Sequence, residues 1–199
     1  MPFEKKKCIV NGQEFEGLFE LIPKVYEDSR GYTTETYSER DFLEAGLSMK
    51  FVQDNQSFSK KGVLRGLHFQ THHPQGKLVR AAIGRIFDVA VDLRKESATF
   101  GYVYTTTLDS MLQNQIYIPA GFAHGFYVLS DSAVCEYKSS NFYCPEDEGG
   151  IIWNDPVLAI NWPSELHDKQ PILSDKDKKQ PAFDPSADYF DMNGQWIQN

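Results

Sequence analysis

The chain of 199 residues has only three cysteines, Cys8, Cys135 and Cys144. They are odd in number and stand in no metal or redox spacing, which argues against a disulfide scaffold and points to a reducing cytoplasm. No run of about 18 apolar residues occurs, so no helix is expected to span a membrane. After the basic opening Lys5-Lys6-Lys7 the apolar run stops at Val10, too short for the core of a signal peptide. An excess of basic residues is also missing. The formal net charge of −8 argues against nucleic acid as a partner, because such binding needs a cationic surface that releases counterions. An anionic substrate would have to be held by a local cluster of cations set against the global field. There is no internal repeat, low-complexity segment or linker before the tail, and little sign of amphipathic helix.

What is present is an aromatic, strand-forming chain. At 41% hydrophobic and 14% aromatic residues it can bury a full core, and its length suits one domain over residues 1–199. Ile9-Val10 and Phe15 to Ile22 read as strands broken by the Asn11-Gly12 turn signal. Asp28-Ser29-Arg30-Gly31 reads as a turn, and Tyr32 to Tyr37 as a strand rich in Thr and Tyr. Ser38-Glu39-Arg40-Asp41 opens a helix of one or two turns that Gly46 stops. Further strands are expected at Phe51 to Ser57, Val63 to Gln70, Lys77 to Ile83, Ile86 to Leu93, Tyr102 to Leu108, Gln115 to Ile118, Gly125 to Leu129 and Ala133 to Lys138. Many short strands separated by regular turn signals indicate a sandwich, jelly roll or barrel. Ser174 to Lys179 reads as a short helix capped by Ser174, and the tail from Pro181 as an irregular strap.

In Gly62 to Gln70, strict alternation puts Val63, Arg65, Leu67 and Phe69 on one face and Leu64, Gly66, His68 and Gln70 on the other. Two glycines inside a strand mark a bulge or the close approach of a ligand. Alone, His68 reads equally as a satisfied strand histidine. Its company changes the reading. If 63–70 and 77–83 form a hairpin, Lys77 stands near the end of the His68 strand. Fixed cations beside an imidazole favour the neutral form that a general base needs.

Asp88 and Asp92 face the same way as His68, with Arg65, Lys77 or Arg80 as partners; a structural ion pair and a catalytic role stay equally open. His124 sits just before a strand, flanked by glycines. Tyr137 shares a face with the small residues Cys135 and Ala133, which leaves room for a ligand, although a core tyrosine is the commoner case. Metal-binding small barrels use a His-x-His pair, where this chain reads His68-Phe69-Gln70. His72 and His73 sit in a turn without partners at metal spacing, so a catalytic metal is not expected.

Asp28 to Gly31, Phe51 to Asn55, Gly62 to Gln70, Gln75 to Arg80, Phe87 to Lys95, Ile118 to Phe126, Trp153 to Asp155 and Ser174 to Asp177 together closely resemble the dTDP-4-dehydrorhamnose 3,5-epimerase (RmlC-like) family. The similarity runs from about Phe19 to Asp177; the tail beyond has no counterpart. The resemblance implies an all-β, cupin-like jelly-roll β-sandwich with a few short helices, a homodimer, no metal and no organic cofactor. It implies His68 as general base, Asp177 orienting it, Tyr137 as the acid on the opposite face of the sugar, and Lys77 stabilising the enolate oxygen. Arg65 and His124 would line the sugar pocket, with Asp88 beside them as support or as a structural ion. Arg30, Glu35, Gln53, Asn55, Glu148 and Lys176 match positions that contact the nucleotide sugar, Arg30 by strand exchange into the neighbouring subunit's site. Thr33 departs from the aromatic residue that many members carry there.

The residue types suit that chemistry. A 4-keto sugar acidifies the hydrogens at C3 and C5. Inversion removes a proton from one face and returns it to the other, which needs a base and an acid on opposite walls. The enolate between the steps needs a fixed positive charge. The expected substrate is dTDP-4-dehydro-6-deoxy-D-glucose, converted to dTDP-4-dehydro-L-rhamnose for dTDP-rhamnose synthesis. The alternatives are epimerisation at C3 or C5 only, another nucleotide-linked 4-keto sugar, a non-catalytic sugar-binding cupin, and a metal-dependent cupin oxygenase.

Overall fold

Asn11 and Gly12 both take positive φ, 52° and 79°, as a two-residue hairpin turn matched to strand twist requires. They join β1 (Phe3–Val10) to β2 (Gln13–Pro23). The computed structural model describes residues 2–166 and 169–197. β3 (Val25–Asp28) and β4 (Gly31–Thr34) form a separate ribbon, followed by α1 (Glu39–Glu44). Then come β5 (Gln53–Lys60), β6 (Leu64–Gln70), β7 (Lys77–Ile83), β8 (Arg85–Asp92), β9 (Val103–Asp109), β10 (Gln115–Ile118), β11 (Phe122–Val128), β12 (Ser132–Ser139) and β13 (Glu148–Gly150). Every strand expected from residue 51 onward is present with slightly shifted ends.

The strands build two facing antiparallel sheets, ordered β1-β2-β10-β7-β12-β5 and β13-β6-β11-β8-β9. The fold is therefore an all-β, cupin-like jelly-roll sandwich. β6 and β7 lie in opposite sheets, which corrects the expected hairpin. Side-chain ties on the connecting loop decide this. Gln75 Nε2 donates to Asn141 O at 2.9 Å, Gly76 N–H to Ser140 Oγ at 2.8 Å, and Asn141 Nδ2 to Pro74 O at 2.7 Å. They seat the loop beside the end of β12, so β7 pairs with β12 across the sandwich from β6.

Alternation sorts the apolar residues into layers. Val79, Ala81, Ile86, Ala90, Ile116, Ile118, Phe122 and Phe126 fill the space between the sheets. Leu64, Leu67, Phe69, Val89, Val91 and Leu93 leave the outer side of the five-stranded sheet apolar. Trp153, Trp162, Phe183 and Phe190 cover it. The C-terminal tail is thus the expected strap, with Phe190 fully buried, a burial that stabilises by about 2–3 kcal/mol. On the other flank α1 lays Phe42 against Phe3, Leu21 and Leu78. Ser38 Oγ accepts from the Asp41 N–H at 3.4 Å, and the chain leaves the helix at Gly46.

Two expected elements are shorter. β4 ends at Thr34 because Thr36 O is taken by Gln115 Nε2 at 3.0 Å, while the Tyr37 ring turns onto Phe42 and Phe51. The helix expected at Ser174 to Lys179 is a single 3-10 turn, Asp177–Lys179.

Candidate active site

Toward one end of the sandwich the inner faces change from apolar to polar. On β7 the inward residues run Ala81, Val79, Lys77, and on β12 Ala133, Cys135, Tyr137. Ser57 joins them from β5. With β6 and β11 opposite, they bound a cavity of about 230 Å³.

β6 reaches this cavity through a bulge. Arg65 pairs with Phe126 and His68 with His124, so three steps on β6 match two on β11. The extra residue reverses the alternation. Arg65 and His68 therefore share the cavity, whereas strict alternation had placed them apart. For the same reason Leu64, not Val63, joins Leu67 and Phe69 in the outer cluster, and Val63 packs on the inner one. Gly66 has φ 121°, and a Cβ there would lie 2.5 Å from Gly125 Cα. The two glycines permit the close approach of β6 and β11.

Two histidine–aspartate pairs meet here. His68 Nε2 lies 2.5 Å from Asp177 Oδ1, and Ser174 Oγ donates to Asp177 Oδ2 at 2.7 Å. Burial alone would raise the Asp177 pKa. The hydrogen bonds from His68 and Ser174 outweigh it and hold the carboxyl below its ordinary value. The second pair joins His124 Nε2 to Asp88 Oδ2 at 2.9 Å. It is deeper, and Asp88 Oδ1 finds no hydrogen-bond partner among the described residues.

Lys77 and Tyr137 complete the floor, with Lys77 Nζ 6.0 Å from the Tyr137 ring centroid. Burial pushes the Lys77 pKa down to about 8, against the opposing pull of Asp88 and then Glu148. Burial also raises the Tyr137 pKa, so its hydroxyl keeps its proton at neutral pH.

A hydrogen-bonded rim continues outward. Gln53 Nε2 donates to Asn55 Oδ1 at 2.7 Å, and Tyr143 N–H to Gln53 Oε1 at 3.0 Å. Tyr143 Oη donates to Glu148 Oε2 at 3.0 Å, and Glu148 pairs with Lys176. Burial works against the Glu148 carboxylate, but Lys176 and Tyr143 prevail and hold its pKa below the ordinary value.

The sequence of the dTDP-4-dehydrorhamnose 3,5-epimerase family, as a profile, matches residues 12–185. The protein of that name from Pseudomonas aeruginosa is 53% identical over 174 residues, covering 87% of this chain and 93% of its own. The chain belongs to the dTDP-4-dehydrorhamnose 3,5-epimerase family. The crystal structure of the epimerase from Elizabethkingia anophelis has a TM-score of 0.83 at 46% identity, covering 92% of this chain and 97% of its own. The Legionella pneumophila enzyme, solved in complex with dTDP-4-keto-L-rhamnose, has a TM-score of 0.83 at 42% identity, covering 90% and 92%. The family match continues past Asp177, which corrects the expectation for the start of the tail. The physical reason is Phe183, whose N–H donates to buried Asp155 Oδ2 at 2.8 Å while its ring closes the outer cluster.

Of the residues singled out from sequence, Arg65, His68, Lys77, His124, Tyr137, Lys176 and Asp177 line the cavity, and Gln53, Asn55 and Glu148 line the rim. Asp88 lies behind His124. Its expected partners were Arg65, Lys77 or Arg80, and the structure supplies His124 instead, diagonally across on the neighbouring strand β11. Asp92 is a structural ion, bound to Arg94, Ser97 and Thr99. Arg80 points to the outer face, where Nη2 donates to Glu136 Oε2 at 2.5 Å. Arg30 and Glu35 are apart from the cavity of their own chain. Arg30 is exposed on the β3–β4 ribbon and pairs with Asp28 at 2.5 Å.

Sequence reasoning missed three residues of this candidate site. Ser57 continues the period-two series Gln53, Asn55, so alternation could have found it. Ser174 stands three residues before Asp177, the spacing of a cap that also grips the acid. Tyr143 comes from an irregular loop and carried no signal.

Proposed function

We propose that the protein epimerises dTDP-4-dehydro-6-deoxy-D-glucose at C3 and C5, giving dTDP-4-dehydro-L-rhamnose for dTDP-rhamnose biosynthesis. The observation that carries this reading is the placement of His68 and Tyr137 on opposite sheets across one cavity, with Lys77 beside Tyr137 on the neighbouring strand. Asp177 holds the proton on His68 Nε2, which leaves Nδ1 with the lone pair to take the proton from carbon. The Tyr137 hydroxyl returns a proton from the other wall. The Lys77 ammonium balances the charge that develops on the C4 oxygen as the enolate forms. Repeating the sequence at the second carbon gives double inversion. Asn55, Gln53, Glu148 and Lys176 on the rim, with Arg65, contact the nucleotide diphosphate and sugar. His124 lines the sugar pocket with Asp88 behind it.

Arg30 and Glu35 act on a second copy in this reading. A two-stranded ribbon is marginal by itself, and β3–β4 displays Tyr26 and Tyr32 more than half exposed. In a homodimer the ribbon would dock on the partner and bring Arg30 to its cavity. A fully active monomer in sedimentation analysis would refute this arrangement. Three cysteines without a disulfide support a cytoplasmic setting.

The deciding experiment is turnover of dTDP-4-keto-6-deoxyglucose in deuterium oxide. Label at both C3 and C5 is expected. Label at one carbon would reduce the reading to a single epimerisation, and no label would leave a binding protein.

A further inference from the structure

Two histidines and a cysteine lie outside the cavity and take no part in this chemistry. His72 and His73 were expected to lack partners, and the fold supplies them from the loop before β13. Asp147, with its side chain buried, receives His72 Nδ1 at 3.2 Å on Oδ1 and His73 Nδ1 on Oδ2. The ligating atoms of His73, Cys144 and Asp147 all lie within 4.8 Å of one another. Among the described residues they are the one such group of three.

The backbone around the group is fixed. Gln70 is buried at the end of β6 and works in both directions. Its Oε1 accepts the Cys144 N–H at 2.8 Å, and its Nε2 donates to His73 O at 2.7 Å. The Thr71 N–H donates to Asp147 O at 2.9 Å. Two loops distant in sequence are thus held so that an imidazole, a thiol and a carboxylate converge on one point.

We propose that His73, Asp147 and Cys144 form a site for a divalent metal ion of the zinc class, with His72 or water in the fourth position. Zinc places nitrogen, oxygen and thiolate ligands about 2.0–2.3 Å away, so tetrahedral ligand atoms stand roughly 3.3–3.8 Å apart. His73 Nδ1 and Asp147 Oδ2 meet directly as a hydrogen-bonded pair, and the Cys144 thiol donates to Glu146 Oε2 at 3.3 Å. Rotation of exposed His73 and half-buried Cys144 opens the first contact and turns the thiol from Glu146 toward the same ion. A thiolate with imidazole selects zinc-like ions over calcium or magnesium. Binding exchanges the Cys144 thiol proton for the metal and releases it to water; no electron moves. The ion would tie the 71–76 loop to the segment that carries Tyr143 and Glu148, and so brace the rim without touching the reacting sugar.

Untagged protein stripped with a chelator, then given zinc and dialysed, tests this by metal analysis. One equivalent per chain is expected to remain. Cobalt in its place should show a near-ultraviolet thiolate-to-metal band. Cys144→Ser should abolish that band, and Cys144→Ser and His73→Gln should each weaken zinc binding about tenfold or more. Both side chains reach the surface, so far-ultraviolet dichroism should show the variants folded. His68→Asn should retain its equivalent. Zinc held equally by wild type and both site variants, retention well below one equivalent, or cobalt bound without the thiolate band would overturn the proposal.

Discussion

His68 and His124 are cross-strand neighbours in one cavity, and each meets an aspartate through Nε2. Their surroundings differ in three ways. The His68 side chain is 25% exposed and His124 8%. Asp177 has both oxygens engaged, by His68 and Ser174, whereas one Asp88 oxygen finds no partner among the described residues. Asp177 also comes from a distant loop, while Asp88 sits on the adjacent strand. In the proposed mechanism the first pair holds the base at the cavity wall in one tautomer. The second is an inner pair whose carboxylate keeps negative potential near Lys77. Identical residue types therefore stand in different surroundings, one carboxylate held by a histidine and a serine and the other by a histidine alone among the described residues.

The largest expected effect separates the two histidines. His68→Asn should lower turnover by roughly 10²–10⁴-fold with nucleotide-sugar binding retained. His124→Asn should lose far less; equal losses would erase the distinction. Asp177→Asn should cost on the order of 10²-fold in turnover, since an amide no longer enforces the tautomer. Asp88→Asn should instead act on Lys77.

That effect is read in pH. The Lys77 pKa is depressed to about 8 by burial, so the ammonium is present below that value and lost above it. kcat/KM should fall as pH rises through about 8. Asp88 opposes the depression, so Asp88→Asn should move the alkaline limb to lower pH, and Lys77→Arg should remove it. A limb that stays put in Asp88→Asn would break the link between the inner pair and the lysine. The smallest effect belongs to Ser174→Ala. It removes the hydrogen bond to the Asp177 carboxylate, about 1 kcal/mol, together with the one the Asp177 N–H donates to the Ser174 hydroxyl, and should slow turnover about fivefold, with no counterpart in the His124 pair.

Much of this was legible from sequence because strand alternation and turn chemistry are local. The Asn11-Gly12 hairpin, the Ser38 cap and the strands after residue 51 follow from neighbours along the chain. The partners were not. Asp88 and Asp92 face inward as alternation requires, yet His124 meets Asp88 only through sheet order, while Arg94, two residues on, turns back to Asp92. The proximity of Lys77 to His68 was expected for the wrong reason. A hairpin would have put them on one sheet, where both could approach only the same side of a sugar. The jelly-roll crossing places them on opposite walls.

The extra residue at Gly66 has a further consequence. It makes the site depend on how many residues stand between Arg65 and His68 as well as on which they are. Removing one residue there would leave every side chain named in this site in the sequence and turn Arg65 out of the room that His68 occupies. Tolerance to change should therefore be uneven along the chain. In this segment a deletion should be worse than most substitutions, and the length of the strand piece is itself inherited information.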